Sequence, residues 1–134
     1  MFILGGADQE NNYSCRSLYF NKYLKFYEKP PMICRRAFFP GIFCIIDSCI
    51  YVFGGQDGTD DLKMCEKFSV SENVWRPISP MNEARNGSSC VIMDKAIFVF
   101  GGNSQHKKSL DSIERYSIEY DCWESMKLKL KCPI

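Results

Sequence analysis

Histidine is almost missing from this chain: His106 is the single one in 134 residues. A metal centre built on imidazoles has too few ligands here, and none of the eight cysteines stands in the C-x-x-C spacing of a structural zinc site. No metal and no cofactor is expected. Excess charge is also lacking, because 17 Lys and Arg face 16 Asp and Glu for a net charge of +1. That balance gives no long-range field for nucleic acid or an anionic membrane, so neither is an expected partner. No apolar run reaches the roughly 18 residues of a membrane-spanning helix. Residues 1–8 pass from a short apolar stretch to Gly5-Gly6 and acid, without the parts of a signal peptide. A cytoplasmic location is the expectation. The familiar catalytic signatures are missing too. There is no Gly-x-Ser-x-Gly elbow, the glycine-rich 54–58 lacks the Lys-Ser/Thr of a phosphate loop, and His106 sits in a polar loop with no orienting third group for a Cys–His pair. The chain does not read as an enzyme.

What is present is core-forming: 46% hydrophobic and 14% aromatic residues are enough to bury an interior. The even cysteine count would suit a disulfide framework in a small secreted chain. Cys44, Cys65 and Cys90 lie inside apolar runs, where a thiol acts as a small hydrophobe, and reduced cysteines are the favoured reading. Asn12-Tyr13-Ser14 and Asn86-Gly87-Ser88 match the glycosylation pattern and read as turns.

Self-comparison reveals one segment three times: Phe2-Ile3-Leu4-Gly5-Gly6, Tyr51-Val52-Phe53-Gly54-Gly55 and Phe98-Val99-Phe100-Gly101-Gly102, with first glycines 49 and 47 apart. Other marks move in phase. Phe20, Phe68 and Tyr116 step by 48, as do Tyr27, Trp75 and Trp123; Glu66 pairs with Glu114, Arg36 with Arg85 and Met32 with Met81 at 48 or 49. The chain is thus one repeated unit, divided as 1–35, 36–84 and 85–134. Within a unit, apolar runs of four to six residues rich in Val, Ile, Phe and Tyr alternate with turn residues, and helical periodicity is absent. The pattern predicts an all-β chain of four-stranded antiparallel meanders. Strands are expected at 89–93, 96–101, 113–118 and 122–126 in the third unit and near 43–46, 50–54, 65–70 and 74–78 in the second. The first unit begins at its second strand.

A hydrophobic run ending in Gly-Gly, a polar loop, an aromatic preceded by Glu, and Trp some seven residues later resembles the Kelch repeat over essentially the whole chain. The resemblance implies Kelch-type β-propeller blades packed radially about a channel. Unit one departs from it, with Tyr27 for Trp and Leu18 for Glu. Three units give an incomplete ring, since closed propellers use about four to eight blades. A piece of a longer propeller is expected, with a ring assembled from copies as the alternative. Some Kelch-like propellers are copper oxidases, but a copper site wants several imidazoles and this chain has His106 alone.

The repeated residues have structural readings. Gly5, Gly6, Gly54, Gly55, Gly101 and Gly102 would turn the chain and allow close backbone approach. Trp75 and Trp123 would be mostly buried between blades, each indole N–H needing a partner. Arg36, Arg85, Glu66 and Glu114 would pair across blades. Function then falls to the loops. By the resemblance, partner contacts map to Ala7, Gln9, Ala37, Phe38, Gln56, Gly58, Asn86, Gly87, Asn103 and Gln105, a neutral polar set poorly suited to an acidic peptide. The candidate partner-binding residues are Gln56, Asp57, Asn86, Asn103, Gln105 and His106. The expected function is a non-catalytic protein–protein interaction module, in its narrower reading the substrate-recognition part of a larger adaptor or scaffold. The alternative is a structural or cytoskeletal array that closes its ring by oligomerisation or with further chain.

Overall fold

The computed structural model describes residues 1–44, 46–106 and 108–132. Apolar runs bounded by turn residues become eleven strands among the described residues, with no helix. Blade 1 holds β1 (Phe2–Leu4), β2 (Ser17–Phe20) and β3 (Phe26–Lys29). Blade 2 holds β4 (Gly41–Cys44), β5 (Cys49–Phe53), β6 (Cys65–Ser69) and β7 (Val74–Ile78). Blade 3 holds β8 (Ser89–Met93), β9 (Ala96–Phe100), β10 (Ile113–Ser117) and β11 (Cys122–Ser125). Each blade is an antiparallel meander with strands adjacent in chain order, so the architecture is all-β and the three sheets form an unclosed array. All eight cysteines are free thiols.

Local chemistry explains the turns. Asp94 and Lys95 both adopt left-handed φ, 48° and 61°, which gives the tight two-residue hairpin joining β8 to β9. The second blade's first strand lies at 41–44 where 43–46 is expected, residue 45 of that span lying outside the described residues, and its second ends at 53. Asp47 fixes the turn between the two strands, its carboxylate accepting the Cys49 N–H at 3.2 Å and the Tyr51 hydroxyl at 2.5 Å, and Gly54 at φ 56° ends the second. Gly41 is drawn into the ladder opposite Val52.

The core lies between blades. In β5 every residue is buried, because successive side chains point to opposite faces and both faces are covered. Ile50 and Val52 join Met32, Phe68 and Trp75 against Phe2 and Leu4 of blade 1. Cys49, Tyr51 and Phe53 join Ile97, Val99 and Tyr116 of blade 3. Edge-on ring contacts stitch both seams, Phe2 to Phe68 at 5.8 Å and Phe53 to Trp123 at 5.5 Å. Trp75 is buried and donates its indole N–H to the Pro30 carbonyl at 2.9 Å. Trp123 is partly buried and does the same to Ser79 at 2.7 Å.

Candidate functional site

The meander order sends two kinds of segment to one end of the array: the loops joining second to third strands (54–64 and 101–112) and the connectors entering each blade (30–40 and 79–88). Gln56, Asp57, Asn86, Asn103, Gln105 and His106 all lie on these segments, so the fold brings the six together at one end. The short hairpin turns occupy the other end.

Two arginines fix the connectors. The Arg36 backbone belongs to blade 1, its N–H donating to Ser14 O at 3.1 Å and its carbonyl accepting the Gly6 N–H at 2.9 Å. Its fully buried side chain reaches into blade 2, where it donates to the carbonyls of Gly54 (2.7 Å) and Met64 (2.9 Å) and pairs with Glu66 at 2.5 Å. Glu66 in turn accepts the N–H groups of Ile33 and Cys34. Arg85 repeats this between blades 2 and 3. Its backbone bonds Leu62 and Gly55, and its side chain bonds the Gly101 carbonyl and Glu114, which accepts from Asn82 and Glu83. The ion pair itself therefore lies within one repeat, and the bridge to the preceding repeat comes from the arginine backbone and from the connector N–H groups that each glutamate accepts. Gly54, at φ +56°, makes room for this arrangement: a Cβ there would sit 2.5 Å from the Arg85 carbonyl oxygen.

Over the clamps runs a polar ladder. Ala37 exchanges both backbone hydrogen bonds with Gln56, and Asn86 does so with Asn103. The Tyr13 hydroxyl donates to Gln56 Oε1 at 2.9 Å; Gln56 Nε2 (3.4 Å) and Asn86 Nδ2 (2.6 Å) both donate to Asp61 Oδ1. Gln105 Nε2 reaches back to the Thr59 carbonyl at 3.0 Å. Gln56 and Asn86 are half-buried and committed to the blade seams, while Asn103, Gln105 and His106 are exposed. Asp57 uses one carboxylate oxygen to hold the N–H groups of Thr59 and Asp60, and these bonds keep its carboxyl below the usual range. Sequence reading passed over Tyr13 and Asp61. Asp61 is the acceptor that the amides of Gln56 and Asn86 share, and the demand of two seam amides for an acceptor is the signal that could have pointed to it.

At the opposite end, two of the turns carry a tyrosine–aspartate staple: Tyr51 to Asp47, and Tyr116 to Asp121 at 2.7 Å, where Asp121 also accepts the Ser79 N–H. Burial, reinforced by the aspartate, raises both phenols above their ordinary 10.0. Burial also pushes the Cys49 thiol up to about 11 and the Cys65 thiol up to about 12. For Asp47 and Asp121 burial acts upward, but the hydrogen bonds they accept prevail and hold both below 3.8. The described residues present no group of His, Cys, Asp and Glu able to hold a metal. No helix among them is long and apolar enough to cross a membrane.

The Kelch motif family model matches residues 43–82 and 84–127. Among curated proteins, "Kelch repeat and BTB domain-containing protein 2" of Ectromelia virus (strain Moscow) is 28% identical over 92% of this chain and 25% of its own length. The protein of the same name from cowpox virus (strain GRI-90 / Grishak) is 32% identical over 78% of this chain and 19% of its own. "Kelch-like protein 23" of Homo sapiens is 38% identical over 56% of this chain and 13% of its own. The chain spans a quarter or less of the length of these relatives. With two matched repeats over more than half its residues, three antiparallel sheets and the Gly-Gly and arginine clamps in register, this chain belongs to the Kelch-repeat family.

Proposed function

We propose that this chain is a non-catalytic protein–protein interaction module that reads its partner with the loop end of the blades. The observation that carries this reading is the division of labour in the polar ladder. Backbone pairs and seam amides hold the loops in place, Gln105 reaches back to Thr59, and Asn103 and His106 stay exposed on that fixed base. A pre-ordered surface loses little entropy on binding, which favours recognition over a mobile loop. The relatives named for both Kelch repeat and BTB domain are about four or more times longer than the matched stretch, which supports placing the module inside a larger protein; that protein we read as a cytoplasmic adaptor or scaffold. The rival reading, a structural array, is favoured by the unclosed edges alone.

The test uses a peptide selected on the chain from a random library, its affinity measured by calorimetry. Replacing Asn103 and His106 together by Ala is expected to weaken binding by one to two orders of magnitude while the fold survives. Side-chain hydrogen bonds contribute about 0.5–1.5 kcal/mol each. Binding that ignores these two and fails instead when residues 122–126 are changed would establish the array reading.

A further inference from the structure

We propose that two copies of this chain stack end to end through their hairpin turns, about a two-fold axis that passes beside blade 2. The surface lies at the end opposite the loops of the proposed function and does not depend on that reading.

The first observation is what the turns carry. Turns are ordinarily built from Gly, Pro, Asn, Asp and Ser, and a single exposed apolar residue among them carries no meaning. Here all five hairpins among the described residues present one at the same end. They are Tyr23 and Leu24 between β2 and β3, Ile46 between β4 and β5, Val70 between β6 and β7, Met93 closing β8 onto β9, and Tyr120 between β10 and β11. Ile46 decides the matter, because blade 2 has a blade packed on each side and neither covers this residue, which is 62% exposed.

The second is how firmly the turns are held. Asn21 Oδ1 accepts the N–H groups of Tyr23 (2.9 Å) and Lys25 (3.1 Å), while Ser69 Oγ accepts that of Glu72 and Ser117 Oγ that of Tyr120, both at 3.3 Å. One residue near the end of each of these turns is left-handed: Leu24 at φ 61°, Asn73 at 55° and Asp121 at 47°. Asn and Asp take that conformation readily, whereas leucine is an outlier there. Leu24 therefore adds strain to its turn, and what it supplies in return is an apolar tip. A surface fixed before contact loses little entropy on docking.

The third observation names the occupant. Charge changes sign along the row of turns, from Lys22 and Lys25 on blade 1 to Glu119 and Asp121 on blade 3, while Asp94 and Lys95 cancel each other. Lys22, Lys25 and Glu119 are exposed and enter no ion pair among the described residues. Between these flanks the carboxylates of blade 2 are already engaged, Glu72 with Arg76 and Asp47 with the Cys49 N–H and the Tyr51 hydroxyl. A row that is positive at one end, negative at the other and apolar between is complementary to itself after a half-turn. The two-fold sets Ile46 and Val70 against their own copies at the centre. It lays Lys22 and Lys25 of each chain over Glu119 and Asp121 of the other, an isologous contact with an apolar middle and a charged rim. A partner carrying one sign of charge would be repelled by one end of the row.

Sedimentation velocity of the whole chain, from micromolar to millimolar concentration, is expected to show a monomer–dimer equilibrium and no larger species, since a two-fold contact closes on itself. Ile46→Ser should weaken the dimer by about tenfold without lowering the melting temperature. Lys22→Glu with Lys25→Glu should do the same, and adding Glu119→Lys to that chain should recover the dimer. A charge-matched control, Glu10→Lys in the loop between β1 and β2, should not. Each of four results overturns the proposal: a monomer at every concentration, a dimer indifferent to Ile46→Ser, no recovery with Glu119→Lys, or equal recovery with Glu10→Lys. Oligomers beyond the dimer would mean lateral assembly of blades and overturn it too. So would a monomer that binds vesicles of phosphatidylserine and phosphatidylcholine through these turns in place of its own copy. Asn103 and His106 lie at the other end, so replacing both should leave the dimer intact, and failure here leaves the loop reading standing.

Discussion

At Glu114 a single carboxylate accepts three kinds of donor: the Arg85 guanidinium at 2.9 Å, the Asn82 amide groups at 2.8 Å and the Glu83 N–H at 3.1 Å. Removing one member of such a buried pair strands the other, and Glu114→Gln is expected to cost about 3–5 kcal/mol by urea denaturation. Replacing both partners with apolar residues often restores stability in buried pairs. Here Arg85→Met with Glu114→Leu should not, because the Gly101 carbonyl and the connector N–H groups lose their partners along with the ions. A double variant as stable as the parent would show that the backbone contacts are dispensable. Glycine offers a second contrast. Gly6 has a positive φ, +105°, but an added Cβ would meet nothing within 4 Å, whereas at Gly54 it collides with backbone oxygens at 2.5 and 2.8 Å. Gly6→Ala should cost the conformational strain alone, about 1–3 kcal/mol. Gly54→Ala should cost more, or prevent folding, as thermal unfolding of the two variants would show.

Among the elements, β7 and β11 carry the tryptophans that close each blade onto the one before it. Trp75 is 6% exposed and hydrogen-bonded across the seam to Pro30, so Trp75→Ala should cost about 3–5 kcal/mol. Trp75→Phe separates the terms, since it keeps most of the apolar area and leaves the Pro30 carbonyl without its donor. It is expected to cost about 0.5–1.5 kcal/mol, the net worth of one hydrogen bond, by the same denaturation measurement. The strands themselves were legible to within two residues where an apolar run ends in a turn, as at 65–69, 74–78 and 89–93. The turn between β4 and β5 was not legible, because Asp47 works through its side chain, holding Cys49 and Tyr51, and a hydrophobic pattern does not register such a contact.

For the molecule as a whole, the two staple pairs and the buried thiols set the pH range of stability. Asp47 and Asp121 have depressed values in the folded state, so the stability they contribute is present above about 3.8 and lost as pH falls through their folded values. Cys49, Cys65 and Cys90 are raised from 9.0 by burial, to about 11, about 12 and about 11. The unfolded chain releases those protons first, so stability is complete below 9.0 and declines from there toward 11 and 12. Above 10.0 the raised phenols of Tyr51 and Tyr116 add to the decline. The urea midpoint should therefore be flat around neutral pH and fall on both sides, and Tyr116→Phe should flatten the alkaline limb. A midpoint constant up to pH 11 would contradict the burial of these groups.

The repeat, the strand periodicity and the turn residues are properties of neighbours in the chain, and they sufficed to determine an all-β blade architecture and its family. Glycine pairs, aromatic marks and recurring charges were visible because each recurs at a fixed step. Which of the loop residues are committed to the seams depended on residues far apart in sequence. Gln56, Asp61 and Asn86 meet only once two blades are packed, and that meeting assigns the amides of Gln56 and Asn86 to structure while Asn103 and His106 remain exposed. The left-handed φ of 55° at Phe38 was likewise invisible in one dimension. It arises because the backbone there must offer its carbonyl to Gly87 of the next connector, a demand that exists only between packed blades.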